Sequence, residues 1–341
     1  LYAMLKRNTF LNIKFENMLD TLGEMSRTDL YSYLKEWEQL TPLPFYSIGE
    51  PELTKVVNKG GEEFFVLKVL VSNNSDYDGI IQMNVLQNGW WYQPMEDPRA
   101  RKKVEIAAHT SKEFVSVWEE QIRDVEINTM VSGNLPYMIR QSIGNVKQER
   151  NKIVKDTIYT LPESSLEMPG EVIVDNEDST LFVLSTPAVV GLLPKWLDKV
   201  EDTSFKYSGI SWWRAPLQWT ATTNAKYYGK YIRSAYVIKS GDGSQTATWK
   251  IPVPEAGQYE LYYHVFKDDE LRWNDRLQGE YHFRVAYDSE MEDAYINLRK
   301  ANEGWEQLGT YYFSADTVRV VLTDECKLRS VTADAVKIVK R

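Results

Sequence analysis

Tyr259-Glu260-Leu261-Tyr262-Tyr263-His264-Val265 is the stretch that decides the fold. Tyr259, Leu261, Tyr263 and Val265 alternate with wetter residues after a Pro254/Gly257 turn, so one face is apolar and the other meets solvent. A period of two is the geometry of a strand with one buried face. The pattern recurs at Tyr281, Phe283, Val285 and Tyr287, and again at Val318, Val320 and Leu322. Short strands of this kind, closed by Gly and Pro turns, predict a β-sandwich.

The same signal runs upstream. Phe65, Leu67, Val69 and Val71 alternate with Phe64, Val66, Lys68 and Leu70, and Asn73-Asn74-Ser75-Asp76 supplies a turn. Ile81, Met83 and Val85 restart the alternation before Asn88-Gly89, which predicts a hairpin. Val125 and Ile127 predict a strand before Ser132-Gly133-Asn134, and Glu171 to Val174 another, ended by Asp175-Asn176-Glu177-Asp178. A first sandwich is therefore expected over 43–193, a linker over 194–204 and a second sandwich over 205–341. Residues 1–42 predict a helical lead-in. Phe15, Met18, Leu19 and Leu22 share one helix face that Gly23 ends. Ser26 or Thr28 caps a second helix with the stripe Leu30, Tyr33, Leu34 and Trp37, stopped at Thr41-Pro42. The expected class is mainly β: two tandem sandwiches, jelly-roll or Ig-like, behind a short helical segment.

Composition narrows the function classes. The 341 residues carry 43% hydrophobic and 26% charged side chains, an ordinary globular balance. A net charge of −9 argues against a nucleic-acid partner, which needs a basic footprint. Cys326 is the one cysteine, so neither an intrachain disulfide nor a cysteine-based zinc site is available. The longest apolar run, Leu181 to Leu193, is interrupted by Ser185, Thr186 and Pro187, too short and broken for a membrane span. The chain starts at Leu1 without a basic-then-apolar leader, which reads as a piece of a longer precursor with a domain upstream.

Six motifs sit in order in the last third: Tyr228-Gly229, Arg233-Ser234-Ala235, Thr246-Ala247-Thr248-Trp249, Pro254 with Gly257-Gln258-Tyr259-Glu260, Gly304-Trp305 with Leu308-Gly309 and Phe313, and Ala333-Asp334-Ala335-Val336. Together, residues 205–341 resemble the golvesin C-terminal-like domain, also found at the ends of bacterial proteins labelled xanthan lyase. The resemblance implies a jelly-roll-like fold, a carbohydrate-binding role and a secreted, periplasmic or cell-surface bacterial setting. The departure is the polar stretch Lys267 to Gly279, where the family has a shorter link. Residues 1–190 are similar, in pattern and not in fingerprint, to the region after the catalytic domain in gluzincin aminopeptidase-type proteins: helices ending in Trp37, then Pro44-Phe45-Tyr46, then a β-domain. The zinc motif of those enzymes, His-Glu-x-x-His, is absent, because none of His109, His264 and His282 is followed by Glu.

The candidate ligand site is aromatic. Trp212, Trp213, Trp219 and Tyr228 cluster in sequence, and neighbours on a strand face opposite ways, so one of Trp212 and Trp213 is expected outside. An exposed indole offers a flat apolar face to the C–H side of a sugar ring. Arg214, Gln218 and Asn224 supply polar groups at the rim. Trp273, among Asp268, Asp269, Glu270 and Arg272, is expected to wall a groove at the same end, since loops on a rigid sandwich carry specificity. The expected partner is a polysaccharide or glycan. The rival expectation is that these rings pack between sheets, in a structural module supporting an upstream catalytic domain. Trp90-Trp91-Tyr92 has the same two readings, platform or hairpin pin. Asp175, Glu177 and Asp178 are spaced like calcium ligands, without the complete calcium-loop pattern, and no other cofactor is expected. Gly-x-Ser-x-Gly and phosphate loops are absent. Tyr262-Tyr263-His264 has the residue types of a lyase base, but Tyr263 is expected inward. The chain thus reads as non-catalytic.

Overall fold

The computed structural model describes residues 15–27, 29, 43–87, 97–144, 146–150, 154–163, 166, 170–185, 206–210, 215–267, 279–288 and 290–341. Helix α1 (Phe15–Ser26) runs past Gly23. Ser26 Oγ donates to the Leu22 carbonyl at 2.7 Å, and Arg27 takes a left-handed conformation with φ 55°, so the helix ends later than the glycine suggested. The expected second helix lies outside the described residues.

The first sandwich comprises β1 (Tyr46–Ile48), β2 (Glu52–Val57), β3 (Glu63–Asn73), β4 (Gly79–Gln87), β5 (Arg101–Ile106), β6 (Thr110–Trp118), β7 (Ile122–Asn128), β8 (Met138–Ser142), β9 (Val146–Arg150) and β10 (Thr157–Pro162). One sheet has the order β10-β6-β3-β2-β9, with β1 also on β3, and the other β5-β4-β7-β8. Leu67, Val69 and Val71 of β3 meet Ile81, Met83 and Val85 of β4 between the layers, with Phe114, Trp118, Val125 and Ile127. Val66 points the other way and packs with Val56 and Val115, as the period of two requires. Across residues 73–76 no hairpin forms, because β3 pairs with β1, β2 and β6 and not with β4; β4 instead pairs antiparallel with β5, the next described strand after Asn88-Gly89, and with β7. Asn73 Nδ2 donates to Tyr77 O at 2.7 Å and to Ile106 O at 3.0 Å. That fastens the turn to the end of β5 and sends the chain across to the opposite layer.

The second sandwich comprises β11 (Glu171–Val174), β12 (Phe182–Leu184), β13 (Thr220–Thr223), β14 (Ser234–Lys239), β15 (Thr246–Pro252), β16 (Gly257–Val265), β17 (Glu280–Tyr287), β18 (Glu290–Asn297), β19 (Gly304–Phe313), β20 (Thr317–Thr323), β21 (Ser330–Ala333) and β22 (Val336–Lys340). Its sheets run β11-β22-β16-β19 and β12-β15-β20-β17-β18, with a small β13-β14-β21 sheet at one end. Trp249, Leu261, Tyr263, Phe283, Val285, Phe313 and Val320 fill the core. Glu171–Val174, expected in the first sandwich, pairs instead with β22, and Phe182–Leu184 pairs with β15. Burial explains the change of side, because Val174 and Phe182 complete the second core and β11 covers an otherwise open edge of β22. The boundary we propose therefore moves from residue 193 to between β10 and β11. The expected linker 194–204 lies outside the described residues. Among the described residues no helix is long and apolar enough to cross a membrane.

Candidate functional site

Of the six expected ligand contacts, Trp212, Trp213, Arg214 and Trp273 lie outside the described residues, as do Trp90, Trp91 and Tyr92. Trp219 is half-buried and packs against the core, and its Nε1 is buried without a hydrogen-bond partner. Tyr228 is half-buried and leads to a site that sequence reasoning did not assemble.

Alternation along β16 sends Tyr259, Leu261 and Tyr263 into the core and leaves Tyr262 and His264 on the solvent side. Tyr263 is inward as expected, with its hydroxyl donating to Thr332 O at 2.5 Å. Register then sets the neighbours. His264 faces Trp305 of β19, and Tyr262 faces Lys337 of β22. The Tyr228 ring lies 5.0 Å from the Trp305 ring and 5.8 Å from His264, and His264 meets Trp305 edge-on at 5.1 Å. The Lys337 ammonium stands 4.9 Å from the Trp305 ring and 5.4 Å from the Tyr262 ring, a cation–π arrangement. Lys337 is also paired with Glu171 of β11 at 2.8 Å. Four rings and one cation thus share the outer face of one sheet.

Asp334 anchors this face from beneath. Its carboxylate is fully buried, takes the Tyr228 N–H at 3.2 Å on each oxygen and pairs with His264 Nδ1 at 2.8 Å. Its backbone carbonyl accepts the Trp249 Nε1–H at 3.2 Å. Burial pushes the Asp334 carboxyl up, while His264 and Arg233 pull against that shift. Burial likewise lowers Arg233, opposed by the Asp334 carboxylate. Arg233 Nη1 donates to Ala225 O at 2.9 Å. Gly229 is required here: its φ is +147°, and a Cβ would stand 2.0 Å from the Ile232 carbonyl oxygen. The motifs Tyr228-Gly229, Arg233-Ser234, Trp249, Trp305 and Asp334, which mark only the fold when read in the sequence, converge on this one point. The signal that was available is the aromatic character of Tyr262 and His264 at the wet positions of β16.

His264 and Asp334 have the form of an oriented base. The face is suited to stacking and hydrogen bonding.

The Asp175–Asp178 turn spends its oxygens on the protein. Asp178 Oδ2 accepts the Asp175 N–H at 3.0 Å. Glu177 is held by Lys206 at 2.5 Å, by the Tyr207 hydroxyl at 3.0 Å and by Ser234 Oγ. Burial, then the Asp334 carboxylate, push Asp175 well above the usual range. Among the described residues no group of three His, Cys, Asp or Glu side chains is placed to hold a metal ion.

Residues 212–340 match the family model of the Golvesin C-terminal domain. No curated protein sequence matches the chain. Among solved structures, a Paenibacillus xanthan lyase is similar at 17% identity and TM-score 0.35, over 88% of this chain and 27% of its own. A Bacteroides uniformis beta-glucuronidase is similar at 10% identity and TM-score 0.23, over 85% of this chain and 30% of its own. The chain thus spans less than a third of the length of either protein. Its C-terminal part, from 212 to 340, is a golvesin C-terminal-like β-sandwich.

Proposed function

We propose that this chain is the non-catalytic part of a secreted or cell-surface bacterial carbohydrate-active enzyme, and that its second sandwich holds a glycan against the Tyr228, His264 and Trp305 face. The observation that carries this reading is the grouping of Tyr228, Tyr262, His264 and Trp305, all half-buried, over the outer face of the β16–β19 sheet. Flat rings bind the C–H face of a sugar, and the second ring nitrogen of His264 supplies a polar contact beside them. The family match at 212–340 supports an accessory role. A catalytic domain upstream in the same precursor belongs to the proposal.

Affinity electrophoresis of the full chain through gels of neutral and acidic polysaccharides tests it. Trp305→Ala and Tyr228→Ala are expected to weaken retention about ten- to a hundredfold, the worth of one stacking ring by analogy with single-strand nucleic-acid binders. Full retention in both variants would sink the assignment of this face. Wild-type passage through every gel, with Trp305→Ala lowering stability, would favour a purely structural module.

A further inference from the structure

The loop carrying Tyr228 and Arg233 is held from the other sandwich. Asn134 is fully buried. Its Oδ1 accepts the Tyr46 N–H at 2.9 Å and its Nδ2 donates to Tyr46 O at 2.8 Å, so the side chain pairs with β1 as a neighbouring strand would. The Gly133 N–H donates to Pro44 O at 3.0 Å. A Cβ on Gly133 would stand 2.1 Å from Phe45 Cε1. Residues 133 and 134 are therefore pinned against Pro44, Phe45 and Tyr46.

Leu135, the next residue, reaches the second sandwich. It forms a parallel bridge with Ile232, its N–H donating to Tyr231 O at 3.0 Å and its carbonyl accepting the Arg233 N–H at 2.7 Å. The Phe45 ring lies 5.3 Å from the Tyr231 ring. The Ile232 carbonyl is the group packed against Gly229, so a shift of Ile232 is passed to Gly229 and to Tyr228 beside it. Arg233, one residue on, acts electrostatically on Asp334, which holds both Tyr228 and His264. The path is a contiguous run of hydrogen bonds and packed backbone, the physical form that coupling takes.

We infer that Asn134 and Phe45 are positioning residues for the Tyr228, His264 and Trp305 face, so that ligand binding by the second sandwich depends on the first. The ligand half of this inference rests on the glycan reading above, whereas the clamp on 228–233 does not. The test uses full-chain Asn134→Ala, Phe45→Ala and the conservative Phe45→Tyr. Phe45 is half-buried, so shortening it spares the core between the sheets if Asn134→Ala fails to fold.

Hydrogen exchange read by mass spectrometry over 225–235 reports the clamp, and retention in a xanthan gel reports binding. Exchange over 225–235 is expected to rise about fivefold in the alanine variants, a change of about 1 kcal/mol in the free energy of opening. The segment 257–265 stays protected, and Phe45→Tyr restores the wild-type rate. Xanthan retention falls by a similar factor while the melting of the second sandwich is unchanged. Unchanged exchange over 225–235 in both alanine variants overturns the clamp. Raised exchange with undiminished retention overturns its role in binding. Wild-type passage through xanthan overturns the ligand half alone, and the exchange result still decides the clamp.

Discussion

Asp124 and Asp334 are both buried carboxylates, one in each sandwich, and they are used in different ways. Asp124 lies at 3% exposure on β7 and binds Arg140 at 2.6 Å and Ser142 at 2.6 Å, both on the adjacent β8. Its work is local to one hairpin. Asp334 lies at 0% exposure and holds Tyr228 from far upstream and His264 from another strand, while its carbonyl takes the Trp249 indole. A carboxylate that gathers several segments organises a site, whereas one that serves its neighbour secures a turn. The acid confined to one hairpin is expected to tolerate replacement better than the shared one.

The largest test of that contrast is truncation. Asp334→Ala is expected to destabilise the second sandwich by about 3–5 kcal/mol, the cost of breaking a buried charged network. Asp124→Ala is expected to cost about 1–3 kcal/mol in the first sandwich, because Arg140 already meets solvent and can rehydrate. Denaturant unfolding followed by tryptophan fluorescence measures both. Equal losses would remove the distinction.

The second test is the pH dependence of the Asp334 neighbourhood. Asp334 and Asp175 both have folded-state pKa values above their ordinary ones, chiefly through burial. The stability linked to them is complete below the unfolded carboxylate value of about 3.9 and is lost as pH rises through the raised folded values. Asp175→Asn keeps the oxygen that accepts the Asn176 N–H and removes one titration. Its melting temperature should decline less steeply than the wild type from about pH 4 towards neutrality. A parallel decline would count against the buried acid pair.

The smallest effect belongs to the first sandwich. His109 bridges Asp76 at 2.8 Å and Glu163 at 2.7 Å, and its hydrogen bonds to Asp76 and then Glu163 raise its pKa. Glu163 is lowered by Asn74 and then by His109. The His109 contribution is therefore full below the unfolded value of about 6.5 and lost as pH rises through the raised value. The Glu163 contribution is present above its unfolded value and lost as pH falls through the lowered one. Both groups are well exposed, so solvent screens the gain. His109→Gln should lower the melting temperature slightly near pH 6 and leave it unchanged in mild alkali. A difference that grows with pH would reverse the assignment.

Legibility tracks the range of each interaction. Strands β16, β17 and β20 are readable because Tyr259 to Val265, Tyr281 to Tyr287 and Val318 to Leu322 carry their burial in a local period of two. The β3 to β4 connection is not, since alternation says that a strand has two faces and not which sheet receives it. That choice lies with Asn73 and its bond to Ile106. β11 is four residues long and its partner β22 lies at the other end of the chain, so no local pattern could reveal the pairing. In the candidate site, Tyr228 stands out through its aromatic neighbours, whereas the packing of Trp219 against the second core is not legible from its sequence neighbours. Asp334 is visible only as part of a motif.

Residue type and spacing alone set the mainly β class, the two-sandwich plan, the inward face of Tyr263 and the lack of a His-Glu-x-x-His zinc motif. These depend on backbone sterics, residue type and spacing, which act over a few neighbours. Long-range packing is what makes Glu171–Val174 complete the second sandwich, sets Tyr228 with His264 and Trp305 over Asp334, and brings Leu135 to Ile232. Those outcomes depend on which apolar faces are buried together and which buried polar groups find partners. Both are settled by contacts between residues far apart in the chain.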